Sequence, residues 1–393
     1  MIYLFVIILL LCLSLRYDIN GKTKYRNEWY YIMFAIFVLI AGLRYRIGID
    51  TIGYIYTYYH NTPLLSNFLD RDYTFAQYPL WKLINSFFYT IGAPFYFVQL
   101  FTAAFVNGLL FVYIRKHINY IFTCLFFYFA FFYNTVNFET MKASYAIAIF
   151  LFANDSFIEQ KKIKGLLLFF LAILFHPSII ALLVVPFLLF LRFNLLGISL
   201  LIIAFVGGFV VQNNLGDYFL LFDLFENDAI SDKLEGYADS DTYSQSKGFG
   251  YIAKNTVVII ASFISIKYAS KFNSNTRLLV LEPFLMIAML FNVFSFNIYI
   301  FYRFYQFFFI YVCLFLSQLF VDTIRSSKFP KLLSFTRMMF LFIPIYICLG
   351  WKYRSSYRRY FPYASVIEKN LNKEREKEYI RLRNERIARF DEY

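Results

Sequence analysis

The sequence has little charge and few of the residues that build soluble enzymes, disulfide scaffolds or metal sites. Only 16% of its 393 residues are charged and 60% are hydrophobic, whereas soluble domains have about 25% and 45–50%. The four cysteines lie inside apolar blocks without regular spacing, which favours small buried or lipid-facing side chains over a disulfide. The three histidines are dispersed, so we expect no transition-metal site. A soluble enzyme, a disordered protein and a disulfide scaffold are therefore poor interpretations.

Several sequence motifs are also absent. The chain contains no P-loop, no G-x-S-x-G elbow, no H-E-x-x-H and no Rossmann fingerprint. Nothing in it supports an ATP-driven pump or a cytoplasmic nucleotide-sugar transferase, and we expect no cofactor. The net charge of +13 would suggest nucleic acid in a soluble protein, but here it must first be placed relative to a bilayer.

Apolar blocks separated by short polar stretches are typical of a multi-span membrane protein. They predict an all-α, polytopic integral membrane protein of about 12 transmembrane helices, at residues 2–15, 29–43, 95–114, 120–134, 141–157, 165–176, 178–192, 195–212, 252–268, 278–297, 300–321 and 338–351. The stretch 79–92 begins with Pro79 and contains Lys82, and we interpret it as a re-entrant or interfacial helix. Residues 1–351 then form the transmembrane domain, and residues 352–393 form a charged, helical tail.

Most loop lysines and arginines fall on one side of this arrangement, which the positive-inside rule makes cytoplasmic. The N-terminus, the tail and two long loops, 44–78 and 213–251, then lie outside. A missed span would reverse the side of the tail. The tail mixes glutamate with lysine and arginine at helical offsets, which predicts a solvated helix supported by ion pairs. Most of the positive charge is thus either an orientation signal on the cytoplasmic loops or part of the solvated tail, and we expect no nucleic-acid partner.

Six ionisable residues share a position at the outer ends of predicted spans: Arg44, Arg46, Asp50, Lys142, His176 and Arg303. Ionisable groups at membrane depth are costly and usually face a cavity or a ligand. Guanidinium groups suit phosphate oxygens, and histidine or aspartate suits a general base. Their shared location favours one outward-facing polar cavity with a cationic lining. Such a cavity fits an anionic lipid-linked ligand such as a polyprenyl diphosphate.

Each of these residues also has a plain structural interpretation. The arginines at 44 and 46 have the position of side chains that reach lipid phosphates. Arg303 stands among aromatic residues, where a cation–π contact would hold it, and His176 occupies the turn of an apolar hairpin. Glu139 and Lys142 have the spacing of a local ion pair. The acids of loop 213–251 lack the pattern of a calcium site and favour a solvated loop.

Several stretches resemble, in order, the signatures of the EpsG family of bacterial exopolysaccharide polymerases. They are AGLRYRIGIDTIGYIYTYY (41–59), FFYNTVNFETMKASYAIAIFLFA (131–153), the hairpin around His176, IYIFYRFYQFFF (298–309) and YRRYFPYASVI (357–367). Two departures stand out. Met141-Lys142 replaces an Arg-Gln pair, which keeps a cation but loses the bidentate fork, and Gln77-Tyr78 stands where an acidic residue commonly precedes Pro79.

The resemblance implies a Wzy-type polymerase with a GT-C-like or Wzy-like helical bundle. Such an enzyme joins polyprenyl-diphosphate-linked (undecaprenyl-type) oligosaccharide repeat units of an exopolysaccharide, capsule or O-antigen, at the outer face of the bacterial cytoplasmic membrane. It implies a chain-length regulator and a flippase as partners and no metal. Two alternatives remain open: an O-antigen-ligase-like or other lipid-donor glycosyltransferase, and a flippase or transporter.

Carried onto this chain, the resemblance implies a role for each candidate residue. His176 and Asp50 would be catalytic, one as the base that accepts the hydroxyl proton and the other orienting it. The substrate diphosphate would be bound by Arg44, Arg46, Arg303 and Lys142.

Overall fold

The computed structural model describes residues 2–68, 78–212, 276–295, 300–325, 359–368 and 373–391. Within these ranges the chain is helical and has no strand, which confirms the all-α expectation for this part. The α-helices are, in chain order, α1 (Ile2–Leu13), α2 (Arg26–Gly42), α3 (Ile49–His60), α4 (Pro79–Thr90), α5 (Tyr96–His117), α6 (Ile121–Phe131), α7 (Met141–Ile158), α8 (Lys162–Phe175), α9 (Leu195–Gln212), α10 (Thr276–Leu279), α11 (Glu282–Phe294), α12 (Ile300–Tyr305), α13 (Phe309–Arg325) and α14 (Lys373–Asp391).

Short helices of other types join these elements. They are π-helical turns at Ser14–Ile19 and Thr135–Glu139, and 3-10 helices at Leu65–Asn67, Pro177–Leu188 and Gln306–Phe308. The predicted span 178–192 corresponds to Pro177–Leu188, which contains Pro186. Proline has no amide hydrogen to donate, so it disfavours a regular α-helix at that point.

Three helical stretches of the described residues are long and apolar enough to cross a membrane: Ile2–Ile19, Tyr96–His117 and Phe301–Asp322. Shorter apolar helices lie at Ile121–Phe131, Pro177–Leu188, Leu195–Gly208 and Glu282–Phe294. The predicted spans 252–268 and 338–351, and loop 213–251, lie outside the described residues. The structure therefore supports a helical membrane protein without confirming the count of twelve.

Helix α4 is the element that the sequence marks as re-entrant or interfacial. It has 12 residues, from Pro79 to Thr90. At about 1.5 Å per residue it is about 18 Å long, and the hydrocarbon core of a bilayer is about 30 Å thick. Its length is thus that of a helix that does not cross.

The chain divides into two compact units. The first comprises residues 1–152, 170–176 and 320–393, and the second comprises residues 153–169 and 177–319. In the first unit α2 packs along α5 and α1 packs along α6, around rings such as Phe37 and Phe111. In the second unit α9 packs on α11, with Ala204 and Val293 buried between them.

Polar contacts mark the two ends of the first unit. Just after α1, the carboxylate of Asp18 accepts hydrogen bonds from Thr123 at 2.7 Å (backbone) and 2.9 Å (hydroxyl). Arg325 donates to the Ile19 carbonyl at 3.1 Å at the same end. At the other end of α1, the Tyr3 hydroxyl donates to the Tyr360 carbonyl at 3.2 Å. The first end carries predicted cytoplasmic loops, and the second carries predicted outer segments.

At this predicted outer end the connection between α2 and α3 pairs with a segment near the C-terminus. The Tyr45 amide donates to the Ala364 carbonyl and the Val366 amide to the Leu43 carbonyl, each at 2.8 Å. Arg44 and Ser365 form an isolated antiparallel bridge. These backbone bonds bring together the two stretches 41–59 and 357–367 from opposite ends of the chain.

The predicted outer loop 44–78 is partly helical, because it contains α3 and the turn Leu65–Asn67. The tail is helical as expected, and Arg381 and Glu378 form an ion pair on it. It is not wholly solvated, however, because Arg375 is fully buried.

Candidate functional site

Glu139 caps the amino end of α3. Its Oε1 accepts a hydrogen bond from the Ile49 amide at 3.2 Å, and its Oε2 accepts one from the Asp50 amide at 3.1 Å. The first amides of a helix lack partners within the helix, and negative charge is favourable there. Burial, together with the charge of Asp50, raises the pKa of Glu139 above its ordinary value. The cap fastens α3 to the turn Thr135–Glu139.

Gly48 permits the close approach of α3 to the turn Thr135–Glu139. Its φ of +96° lies in the region that disfavours side chains, and a Cβ there would stand 2.9 Å from the Phe138 carbonyl oxygen. The Thr51 hydroxyl donates to the same carbonyl at 3.1 Å. The Tyr54 hydroxyl donates to the Glu139 carbonyl at 3.2 Å. One face of α3 is thus held against the residues that precede α7.

Arg44 lies inside the protein, with 1% of its surface exposed. Its guanidinium donates to the Ala41 carbonyl and to the Met141 sulfur. It also lies over the Phe138 ring, 5.1 Å from the centroid, while its buried Nε has no hydrogen-bond partner among the described residues. Burial lowers the pKa of Arg44 to about 10. This arginine ties the end of α2 to the first residue of α7.

Arg46 contacts the C-terminal helix α14. Its guanidinium lies 2.8 Å from the carboxylate of Glu376 and 4.3 Å from the centre of the Tyr379 ring. Its carbonyl oxygen accepts hydrogen bonds from two guanidinium nitrogens of Arg375, one of them, Nε, at 2.9 Å. The residue has a φ of 52°, an uncommon conformation for a non-glycine residue. The connection between α2 and α3, which contains Arg46, is therefore attached to the C-terminal helix α14.

Lys142 and His176 meet at the ring of Tyr78. The ammonium of Lys142 lies 4.2 Å from the centre of the Tyr78 ring and 5.3 Å from the centre of the Tyr54 ring. The His176 ring lies 5.4 Å from the same Tyr78 ring. Asp50 stands one helical turn before Tyr54, on the same face of α3. Two of the six candidate residues, Lys142 and His176, thus contact the ring of Tyr78.

A pocket opens beside this cluster, between α3, α4 and the start of α7. Its walls include three aromatic residues, two lysines and an asparagine: Tyr54, Tyr78, Trp81, Lys82, Lys142 and Asn85. Thr57 on α3 and Asn61, the residue after this helix, extend the wall. Such a mixture of aromatic faces, amides and cations can bind a polar, negatively charged organic molecule.

Arg303 lies in the last turn of α12, in the second unit. The residues that line the pocket belong to the first unit. The described residues contain no group of three or more histidine, cysteine, aspartate or glutamate side chains that would hold a metal ion.

Sequence reasoning missed four features of this site: Tyr78, Trp81, Lys82 and the capping role of Glu139. The first three follow a helical spacing with Asn85, a signal that marks one polar face of α4. Glu139 had no such signal, because the helix it caps begins 90 residues earlier in the chain.

The fold and the pocket define a class: a helical membrane protein with a cationic, aromatic pocket at one end of its first unit. The family model described as EpsG family matches residues 27–365, most of the chain. The chain therefore belongs to the EpsG family, a family of Wzy-type polymerases. This membership makes it an exopolysaccharide-related polymerase whose substrate class is a lipid-linked oligosaccharide. No curated protein and no solved structure matches the chain.

Proposed function

We propose that this protein joins polyprenyl-diphosphate-linked oligosaccharide repeat units at the outer face of the bacterial cytoplasmic membrane, as a multi-pass enzyme. The observation that carries the proposal is the meeting of Lys142 and His176 at Tyr78, on the wall of one pocket. A cation and a candidate base in one place are what transfer of a sugar from a diphosphate requires.

In the proposed reaction, a hydroxyl at the end of one repeat unit attacks the anomeric carbon of a second chain. A new C–O bond forms, and the bond from that carbon to the diphosphate oxygen breaks with its electron pair. The hydroxyl proton passes to His176 or Asp50. Because diphosphate is a good leaving group, the protein mainly positions the two sugars and stabilises the departing charge.

Lys142 is the proposed direct contact to the diphosphate, because it lines the pocket and its ammonium lies against the rings of Tyr54 and Tyr78. Arg46, whose side chain is 35% exposed, adds positive charge at the start of α3. We assign Arg303 to the diphosphate from its place in the sequence. These cations replace a metal ion in the scheme.

Arg44 has a different proposed role, because its guanidinium is buried. Its contact with the sulfur of Met141 fixes the position of Met141, and Met141 directly precedes Lys142 in the chain. We therefore assign it as a positioning residue that also contributes positive potential from within the protein.

The test is synthesis by the full-length protein in lipid nanodiscs. The substrate is the lipid-linked repeat unit extracted from a strain that lacks this gene. We expect a ladder of lengthened lipid-linked chains and release of polyprenyl diphosphate. Transfer of single units to another acceptor would indicate a ligase, and translocation without any bond formation would indicate a flippase. Either result would overturn the proposal.

A further inference from the structure

We propose that Glu376 on the C-terminal helix α14 is an internal competitor of the substrate, whose carboxylate pairs with the guanidinium of Arg46 until the diphosphate displaces it. This inference rests on the proposed function, in which Arg46 supplies positive charge for the diphosphate, and it adds a contact that regulates the same site. The family match ends at residue 365, and α14 begins at Lys373. The role of the tail is therefore not part of what the family membership implies.

Two side chains of α14 contact the guanidinium of Arg46. Its Nη1 lies 2.8 Å from Oε2 of Glu376, and its central carbon lies 4.3 Å from the centre of the Tyr379 ring. Glu376 and Tyr379 are three positions apart in one helix, a spacing that places them on the same face. The ring of Tyr45, the residue before Arg46, is 5.1 Å away. In this state the cation already has an anionic partner.

The ion pair between Arg46 and Glu376 has the properties of an exchangeable contact. The two side chains are each about one-third exposed, and ion pairs at such exposure contribute little net stability. A diphosphate carries more negative charge than a carboxylate and offers several oxygens to the planar guanidinium. Replacing the carboxylate with a diphosphate therefore costs little, and the rings of Tyr45 and Tyr379 can stay against the cation.

A separate contact keeps the tail in place when this ion pair opens. Arg375 is fully buried, and its Nε donates to the carbonyl oxygen of Arg46 at 2.9 Å. Because this anchor directly precedes Glu376 in the chain, the carboxylate stays at a high effective concentration beside the guanidinium. A tethered competitor of this kind weakens the binding of an anion by a constant factor and does not abolish it.

The test is calorimetric titration of inorganic pyrophosphate into the full chain in phosphatidylcholine nanodiscs, at constant ionic strength. The wild type is compared with Glu376→Gln and with the control Glu374→Gln. Glu374 lies on the exposed surface of the same helix, so its variant makes the same change in net charge. Both substitutions are repeated in the Arg46→Gln protein, and thermal unfolding of each variant is recorded.

We expect Glu376→Gln to bind pyrophosphate about two- to fivefold more tightly than the wild type, the range that one exposed ion pair spans. Glu374→Gln should change the affinity much less, because salt screens charges that are not in contact. In the Arg46→Gln protein, Glu376→Gln should bring no gain, since the competitor then has no cation to occupy. Glu376→Gln should also unfold close to the temperature of the wild type.

Equal gains in Glu376→Gln and Glu374→Gln would overturn the inference, because net charge alone would explain them. Weaker binding or a large loss of thermal stability in Glu376→Gln would also overturn it, because the carboxylate would then be a structural partner of Arg46. The gain should persist when the nanodiscs contain phosphatidylglycerol. Its disappearance there would make a lipid phosphate, and not the substrate, the ligand of Arg46, and the inference would fail.

This outcome is separable from that of the proposed function, which is measured by chain synthesis. Tighter binding of pyrophosphate by Glu376→Gln in a protein that makes no chains would support the competitor and refute the polymerase. Chain synthesis by a protein in which Glu376→Gln brings no tighter binding would do the reverse.

Discussion

The guanidinium of Arg46 and the carboxylate of Glu376 lie 2.8 Å apart, although the two residues are separated by 330 positions in the sequence. The side chains are 35% and 33% exposed, and ion pairs of this exposure contribute only about 0–1 kcal/mol. The firmer part of the attachment is next to it, where the buried Arg375 donates to the Arg46 carbonyl. The tail helix thus belongs structurally to the candidate site.

Removal of Arg375 tests this attachment. We expect Arg375→Ala to destabilise the protein by about 1–3 kcal/mol, because it leaves the carbonyl of Arg46 without its donors. Thermal unfolding of the full chain in detergent, followed by helical circular dichroism, measures the loss, and faster proteolysis of the tail should accompany it. Arg383→Ala, on the exposed side of the same helix, should change neither. Equal behaviour of the two variants would contradict the attachment.

The buried carboxylate of Glu139 predicts a pH dependence of stability. Burial raises its pKa in the folded state above the ordinary 4.5, so the folded protein binds the proton more tightly than the unfolded chain. The stabilisation that comes from this tighter proton binding is therefore fully present below pH 4.5. It is lost as the pH rises through the raised pKa of Glu139 in the folded protein.

Glu139→Gln has no such titration, which makes it the matched comparison. We expect the melting temperature of the wild type, relative to that of this variant, to fall as pH rises from 4.5. The loss of one cap hydrogen bond in the variant adds a constant offset and does not change the slope. If the difference between the two melting temperatures does not change with pH, the carboxylate of Glu139 is solvated in the folded protein.

Local patterns predict the helices well, and long-range pairings not at all. The bounds of α7 and α9, Met141–Ile158 and Leu195–Gln212, follow from continuous apolar runs, which hydropathy reads directly. The sequence predicts a loop where α3 lies, because the tyrosines of this helix make it only weakly apolar. It is stabilised by Glu139 and by the segment 359–368, and no local window contains those partners.

In the candidate site, too, the residues can be predicted from the sequence and their long-range contacts cannot. The sequence marks Arg44, Arg46, Lys142 and His176 because ionisable groups are conspicuous in an apolar chain. Their environments are not predictable from it, since burial of Arg44 and the pairing of Arg46 depend on Met141 and Glu376, far away in sequence. Charge marks the candidate residues in the sequence, and packing decides which of them are buried and which are exposed.

Lys142 is predicted to support catalysis through its charge. Lys142→Gln should lower the rate of chain extension by about 100-fold or more, the usual effect of removing one preorganised charge-stabilising donor. Lys142→Arg should restore much of it, because it keeps the cation beside Tyr54 and Tyr78. Initial rates with the lipid-linked repeat unit measure both variants, with Lys161→Gln, in the connection between α7 and α8, as the control. Full activity of Lys142→Gln would remove this residue from the mechanism.

The choice of base between His176 and Asp50 can be made by kinetics. A general base contributes about 10²–10⁴-fold, and its loss removes the limb of the pH–rate profile that rises with pH. We expect His176→Asn to lose this limb, because His176 is the residue that meets Lys142 at Tyr78. Asp50→Asn should lower the rate with the limb retained. The reverse pattern would make Asp50 the base.

Gly48 is predicted to be intolerant of any side chain, although it contacts no substrate in the proposed scheme. Its φ of +96° opposes alanine, and so does the Phe138 oxygen, which would lie only 2.9 Å from an alanine Cβ. We expect Gly48→Ala to cost about 1–3 kcal/mol, the usual range for such backbone strain. Gly108→Ala, where a Cβ would meet only Phe34 at 3.8 Å, should be neutral or slightly stabilising, because alanine is the better helix former.

The same pair of variants connects stability to the geometry of the pocket. If Gly48→Ala also lowers the rate of chain extension while its remaining fold is intact, the docking of α3 on Glu139 positions the pocket wall that carries Tyr54. Thermal unfolding and initial rates with the lipid-linked repeat unit measure the two effects separately, with Gly108→Ala as the reference. Wild-type stability and rate in Gly48→Ala would mean that the close approach of α3 to Phe138 has no part in either, because the backbone would then have adjusted to the added Cβ.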